Sequence, residues 1–250
     1  MRRFFISTAD IAQDQATLRG SEFHHLCHVL RLGVGAPVAL TDDLGREHRG
    51  VITELSPSEA TIALATTREA TDAGVSLTLA QGILKGAKMD LVIEKATELG
   101  VNCILPFHST FTVATVPADR QAERIARWER IAQSAAKQSG NPAPRIDPPQ
   151  SFTALLETFS PERTAILCYE KERILSLKRF AQEHPQFESL CLIIGPEGGF
   201  SPEEIARART ARAHVVGLGT KILRAETAAI VASAFCQLLW NNQDSGRSDR

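Results

Sequence analysis

Two rhythms of apolar positions divide the chain. Up to about residue 70, apolar residues alternate with polar ones or run together over strand lengths, in RRFFI (2–6), APVALTDD (36–43), EHRGVITEL (47–55) and EATIALATT (59–67). The stretches LGVGAP, DDLGR and SPS separate them as turns. One segment, GSEFHHLCHVLRL (20–32), spaces its apolar residues as an amphipathic helix does. Short strands with tight turns predict a small β-barrel-like module over residues 1–70. From Val75 the pattern becomes strand, helix, strand, helix. Strands are expected at VSLTLAQGI, VNCILPF, TAILCY, LCLIIG and AHVVGLG, and helices over 88–100, 118–139, 171–184, 201–212 and 225–240. Such alternation predicts an α/β domain over 74–242 with a mostly parallel sheet covered on both faces. The boundary falls at 67–74, SGNPAPRIDPPQS reads as a connector within the second domain, and 243–250 as a flexible tail.

Composition narrows the class. Apolar residues make up 43% and charged residues 23% of the 250, the usual globular mix, and no apolar run reaches the roughly 20 residues of a membrane-crossing helix. The N-terminal MRRFFISTADIAQ is too short in apolar residues for a signal-peptide core, so a cytoplasmic protein without a membrane partner is expected. Five cysteines, at 27, 103, 168, 191 and 236, are scattered and lack CxxC spacing, which suits reduced thiols rather than a disulfide framework or a zinc ribbon. A net charge of −1 excludes nucleic-acid binding by bulk charge alone, but not by a local basic groove.

Two loops carry the chemistry. LCLII (190–194) is apolar throughout, as a parallel strand buried on both faces should be. After it, Ser201 as N-cap, Pro202 at the first helical position and Glu204 closing a capping box mark a helix start. Between them lies GPEGG, with more glycine than a strand-to-helix turn needs, at the strand end where ligands sit in open α/β sheets. It has neither GxxxxGK[ST] nor GxGxxG, and Glu197 would repel a polyphosphate, so the ligand there should be neutral or cationic. VVGLGTKILRAETA repeats the arrangement one unit later, with Gly217 and Gly219 before a long helix.

LIIGPEGGFSPEEI and LGTKILRAETA together resemble the paired C-terminal motifs of the ribosomal RNA small subunit methyltransferase E family, 16S rRNA uridine-N3 methyltransferases of the SPOUT superfamily. The resemblance runs nearly end to end, through HHLCHVLRLGVG, KGAKMDLVIEKATELGV and RWERIAQSAAKQSG. It implies a SPOUT-type α/β trefoil-knot methyltransferase domain preceded by a PUA-like β-barrel RNA-binding domain. It also implies S-adenosylmethionine as cofactor, one uridine of 16S rRNA in the small ribosomal subunit as target, a homodimer, and a place in ribosome biogenesis. At the matching positions, Ile194, Gly195, Pro196, Glu197 and Gly199 of the first loop are expected to hold the cofactor. So are Leu218, Gly219, Ile222, Leu223, Arg224, Thr227 and Ala228 of the second, with Cys168 in a third wall. Uridine N3 is a weak imide acid that must lose its proton before attacking a methyl group. Arg224 is therefore the candidate for stabilising the oxyanion that develops, and Glu226 the candidate base, with Glu197 and solvent as alternatives. The competing reading is a non-catalytic RNA-binding assembly factor that keeps the fold.

RNA contacts are expected from Arg2, Arg3, His24 and Arg31 in the first domain, and from Lys85 and Lys88 at the close of the second domain's first strand. Each is equally readable as a solvated surface charge. His24, Cys27 and His28 have the spacing of metal ligands but no further ligands nearby, and no metal is expected.

Overall fold

A computed structural model describes residues 1–43, 45–68, 75–114, 116–159 and 164–240. The chain divides into two compact units, Met1–Asp72 with Gly140–Pro142, and Ala73–Ser139 with Ala143–Arg250. The tail at 243–250, and most of the boundary expected at 67–74, lie outside the described residues.

The first unit contains β1 (Arg2–Ile6), β2 (Ile11–Ala12), β3 (Gln15–Arg19), α1 (Gly20–His24), β4 (Pro37–Asp42), β5 (Glu47–Leu55) and β6 (Glu59–Arg68). They form one sheet in the order β1-β4-β5-β6-β3-β2, with β1 and β4 parallel and the other pairs antiparallel. Register shifts in β5 at Arg49/Gly50 and Ile52/Glu54 mark bulges, which bend a strand and let a sheet curl. Phe4, Ile6, Leu18, Val38, Leu40, Ile52 and Ile62 form the core with Phe23 and Leu26; β1, β3 and β5 bury one side, as the alternation indicates, whereas β4 is buried on both from Val38 to Asp42. QATLR, which the sequence reading passed over, is the strand β3 and carries Ala16 and Leu18 into that core.

The segment 20–32 is not one regular helix. After α1 the backbone widens into a π-type turn over His25–Val29, with the Leu30 N–H donating to His25 O at 2.9 Å, and Arg31 closes it at φ 52°. A wider turn rotates the following residues off the earlier face. Val29, expected on the apolar side, is therefore exposed, while Phe23 and Leu26 are buried. Beneath β4 and β5, Asp42 accepts from Arg46 Nε at 2.7 Å and pairs with His48 Nε2 at 3.0 Å. Burial works to raise the Asp42 carboxyl, but the hydrogen bonds from His48 and Arg46 outweigh it and hold it below the usual carboxylate value.

The second unit contains β7 (Ser76–Gly82), α2 (Ala87–Glu98), β8 (Cys103–His108), α3 (Gln121–Ser139), β9 (Arg145–Ile146), β10 (Gln150–Ser151) and α4 (Phe152–Glu157). It continues with β11 (Thr164–Cys168), α5 (Leu177–Glu183), β12 (Ser189–Ile194), α6 (Pro202–Thr210), β13 (His214–Val216) and α7 (Ala225–Trp240). Its sheet runs β10-β8-β7-β12-β11-β13, with β9 beside β8, and every pair is parallel. Two separate cores explain why LCLII is apolar at every position. Leu190, Leu192 and Ile194 pack on one face with Val92 and Ile93 of α2, Trp128 of α3 and Ala229 of α7. Cys191 and Ile193 pack on the other with Phe152 and Leu155 of α4 and Ile205 and Ala208 of α6. Each fully buried Leu or Ile contributes about 1.5–3 kcal/mol of transfer free energy.

Two expectations change here. The connector 139–151 carries the short strands β9 and β10, and α4 follows it unforeseen. The helix expected over 171–184 starts only at Leu177, capped by Ser176, whose side chain accepts from the Arg179 N–H. Residues before it are drawn into other bonds: the Glu172 carboxylate accepts from the N–H groups of Ile174 and Leu175, and Leu175 O accepts from Gly217 N.

Candidate functional site

The loops after β11, β12 and β13 leave the same end of the parallel sheet and enclose a cleft of about 690 Å³. That is the size range of small-molecule sites. Two glycines shape it. Gly199 turns the first loop at φ +69°, its N–H donating to Pro196 O at 2.9 Å, and Gly219 holds φ +124° in the second loop. L-residues rarely adopt either conformation. What faces the cleft at these points is main chain.

The entry to α6 is built as the sequence indicates. Ser201 Oγ accepts from the Glu204 N–H at 3.2 Å, Glu204 Oε2 accepts from the Ser201 N–H at 2.9 Å, and Pro202 occupies the first turn. Glu204 does more than cap. Its Oε1 accepts from the Thr110 N–H at 2.8 Å, fastening the loop after β8. Glu204→Ala is expected to lower stability by about 1–3 kcal/mol, measured by urea unfolding, with Glu204→Gln recovering part of the loss.

The cleft gathers most of the residues expected to bind a cofactor. Cys168, Ile194, Gly195, Pro196, Glu197, Gly199, Leu218, Gly219, Ile222, Leu223, Arg224 and Ala228 all line it, as does Glu226. Thr227 does not: successive helical residues point about 100° apart, and Thr227 faces solvent between Glu226 and Ala228. Lys88 lines the cleft as well, but its Nζ lies 3.0 Å from Glu197 Oε1, which also accepts from the Lys85 N–H at 3.2 Å. Burial works to raise the Glu197 carboxyl, and the Lys88 and backbone hydrogen bonds outweigh it, leaving it lowered. The acidic loop is thus neutralised from within, and Lys88 is an internal partner rather than a free cation. The Lys85 side chain is exposed.

The remaining RNA candidates belong to the first unit. Arg2, Arg3, His24 and Arg31 are exposed, Arg3 pairs with Glu47 at 2.8 Å, and the rings of His24 and His28 lie 4.8 Å apart.

Glu226 and Arg224 stand one residue apart with opposite environments. Glu226 is 9% exposed, and its Oε2 is buried without a hydrogen-bond partner among the described residues. A buried carboxylate oxygen left unpaired costs free energy that a ligand group can recover. The Arg224 side chain is exposed at the cleft and makes no hydrogen bond or ion pair among the described residues. Cys168 is half-buried, and burial, with Cys236 adding to it, raises its thiol well above the usual value, which favours the protonated, unreactive form.

The third wall expected at the end of TAILCYEKE, near Cys168 and Tyr169, extends through Glu170, Lys171 and Arg173, which with Lys221 were not among the expected site residues. The charges of the run EKER look like a solvated helix face, and no periodicity turns them toward the cleft. With them the lining holds five cations, Lys88, Lys171, Arg173, Lys221 and Arg224, against three carboxylates, Glu170, Glu197 and Glu226.

Comparison with known proteins covers both units. The family model for an RNA methyltransferase domain matches residues 71–237, and that for an RNA methyltransferase PUA domain matches 18–64. The ribosomal RNA small subunit methyltransferase E of Synechocystis is 31% identical over 93% of this chain and 76% of its own. That of Bacillus subtilis is 29% identical over 93% and 94%. A crystal structure of the Neisseria gonorrhoeae protein of this name, bound to S-adenosyl methionine, superposes with a TM-score of 0.80 at 31% identity, covering 96% of this chain and 98% of that one.

Proposed function

The chain belongs to the ribosomal RNA small subunit methyltransferase E family, and from that premise we propose that it methylates N3 of one uridine in 16S rRNA. S-adenosylmethionine is the cofactor, and the residues present fit it. The cleft has the volume for it, Gly195, Gly199 and Gly219 offer bare main chain, and Glu170 and Glu226 bring negative charge. When bound, it supplies an electrophilic methyl group on a cationic sulfonium.

The observation that carries this reading is the pairing of an unengaged guanidinium with an orphaned buried carboxylate in one cleft. Glu226 takes the N3 proton of the uracil ring, and Arg224 stabilises the negative charge that then spreads to O2 or O4. Glu197 is less suited to be the base, because Lys88 and the Lys85 N–H already occupy its Oε1. Holding the imide and the methyl donor in line supplies a further part of the acceleration. The surplus of cations around the cleft suits a phosphate backbone.

The same reading takes the protein to act in the cytoplasm on the small ribosomal subunit, with residues 1–70 as an RNA-binding domain to which Arg2, Arg3, His24 and Arg31 contribute, and 74–242 as the knotted catalytic domain. Supporting a threaded path, β13 lies at the sheet edge beside β11, yet α7 returns to pack on β7 and β12 in the middle. A homodimer is supported by α7, which leaves Phe235, Leu238 and Leu239 exposed along one side. Ile230 and Ala234 of the same helix are half-buried and lie off this side.

Mass spectrometry of 16S rRNA from a strain lacking this gene tests the proposal. One uridine should lose a methyl group and regain it when the wild-type chain is restored. An unchanged modification pattern would remove the assignment.

A further inference from the structure

The loop after β8 carries an aromatic side chain that the fold itself does not use. Phe111 is 45% exposed and belongs to none of the hydrophobic cores of the described residues. The loop on either side of it is nevertheless firmly held. The Ser109 N–H donates to Thr112 Oγ1 at 2.8 Å, the Thr112 N–H to Ser109 O at 3.1 Å, and the Thr110 N–H to Glu204 Oε1 at 2.8 Å. On its inner side the residue packs against the loop after β12 at Gly198. A Cβ placed on Gly198, which lines the cleft, would lie 2.6 Å from Phe111 Cβ and 2.9 Å from its carbonyl oxygen. Every residue but glycine supplies both of those atoms, so this close contact does not explain the ring. Val113, two residues on, is exposed as well.

A half-exposed ring on a pinned loop, packed beside a loop that lines the cleft, suits a flat apolar surface that arrives from solvent. An unpaired base has such a face. It loses its stacking neighbours when it leaves an RNA strand, and an aromatic side chain replaces them. The cations Lys171, Lys221 and Arg224 in the same cleft suit the phosphates that accompany it. We propose that Phe111 is the platform on which the unpaired pyrimidine base stacks as it enters the cleft. This rests on the functional reading above and adds to it a positioning residue for the substrate.

The test measures methyl transfer from radiolabelled S-adenosylmethionine to small ribosomal subunits from the deletion strain, beside calorimetry of S-adenosylmethionine binding. Phe111→Ala and Phe111→Leu should lower kcat/KM for the subunits by about 5- to 150-fold, mainly through KM. Phe111→Tyr and Phe111→Trp should stay within about threefold of wild type, and all four should bind S-adenosylmethionine as wild type does. Leu performing as well as Phe, or a loss in Ala matched by weaker S-adenosylmethionine binding, overturns the platform. An active wild type with fully active Phe111→Ala removes the platform alone. A folded wild type that transfers no methyl group to the subunits removes the functional reading, and the platform with it.

Discussion

Arg224→Ala is expected to lower methyl transfer by about 10²–10³-fold, the usual cost of deleting one donor aimed at a developing oxyanion. The fold should not suffer. Arg224 is exposed and its side chain bonds to nothing among the described residues, so its removal should change stability by no more than about 0.5 kcal/mol. S-adenosylmethionine affinity should shift by less than about threefold, because a guanidinium gains little from a neighbouring sulfonium. Arg224→Lys should recover only part of the rate, since an ammonium replaces the planar fork with a point charge. Single-turnover rates beside calorimetry separate these effects. A parallel fall in affinity and rate would place Arg224 in cofactor holding rather than in the reaction.

Glu226→Gln should be the second severe lesion, slowing transfer by about 10²–10⁴-fold at neutral pH through loss of the proton acceptor. Its pH profile carries the sharper information. Without a base, the uracil imide must ionise on its own, so the variant's rate should climb about tenfold per pH unit until the imide's own pKa is reached. Stability should move the other way. Glu226 Oε2 is buried and unpartnered, so an uncharged amide of the same shape should leave the melting temperature unchanged or raise it. A variant that is slow, pH-insensitive and unstable would mark Glu226 as a structural group.

Much of the site was legible because local rules and tertiary demands agree there. LCLII, followed by Ser201, Pro202 and Glu204, specifies a doubly buried strand and a capped helix by chemistry that acts within a few residues. QATLR and FTALLE were passed over because five or six residues are too few to establish a period against flanking polar residues. Residues 171–176 misled for the opposite reason. Their helical composition loses to Glu172 and to the Gly217 loop, which take the backbone N–H and C=O groups a helix would need. Nor does any pattern place β12 between β7 and β11, tie Lys88 to Glu197 or set Phe111 against Gly198. Those contacts join residues far apart in the chain and exist only once the sheet order is set.

Walls of main chain divide tolerable from intolerable change by length rather than by residue type. Exchanging one side chain for another along 195–199 or 217–223 leaves the ligand-facing main-chain atoms where they were, save at Gly195, Gly198, Gly199, Gly217 and Gly219, where an added Cβ meets a neighbouring atom or an unfavourable φ. Adding or removing a single residue displaces all of them together. Descendants of this chain can therefore drift in composition at the other positions around the cleft, provided these two segments keep their residue count, those glycines and the reacting side chains of Arg224 and Glu226.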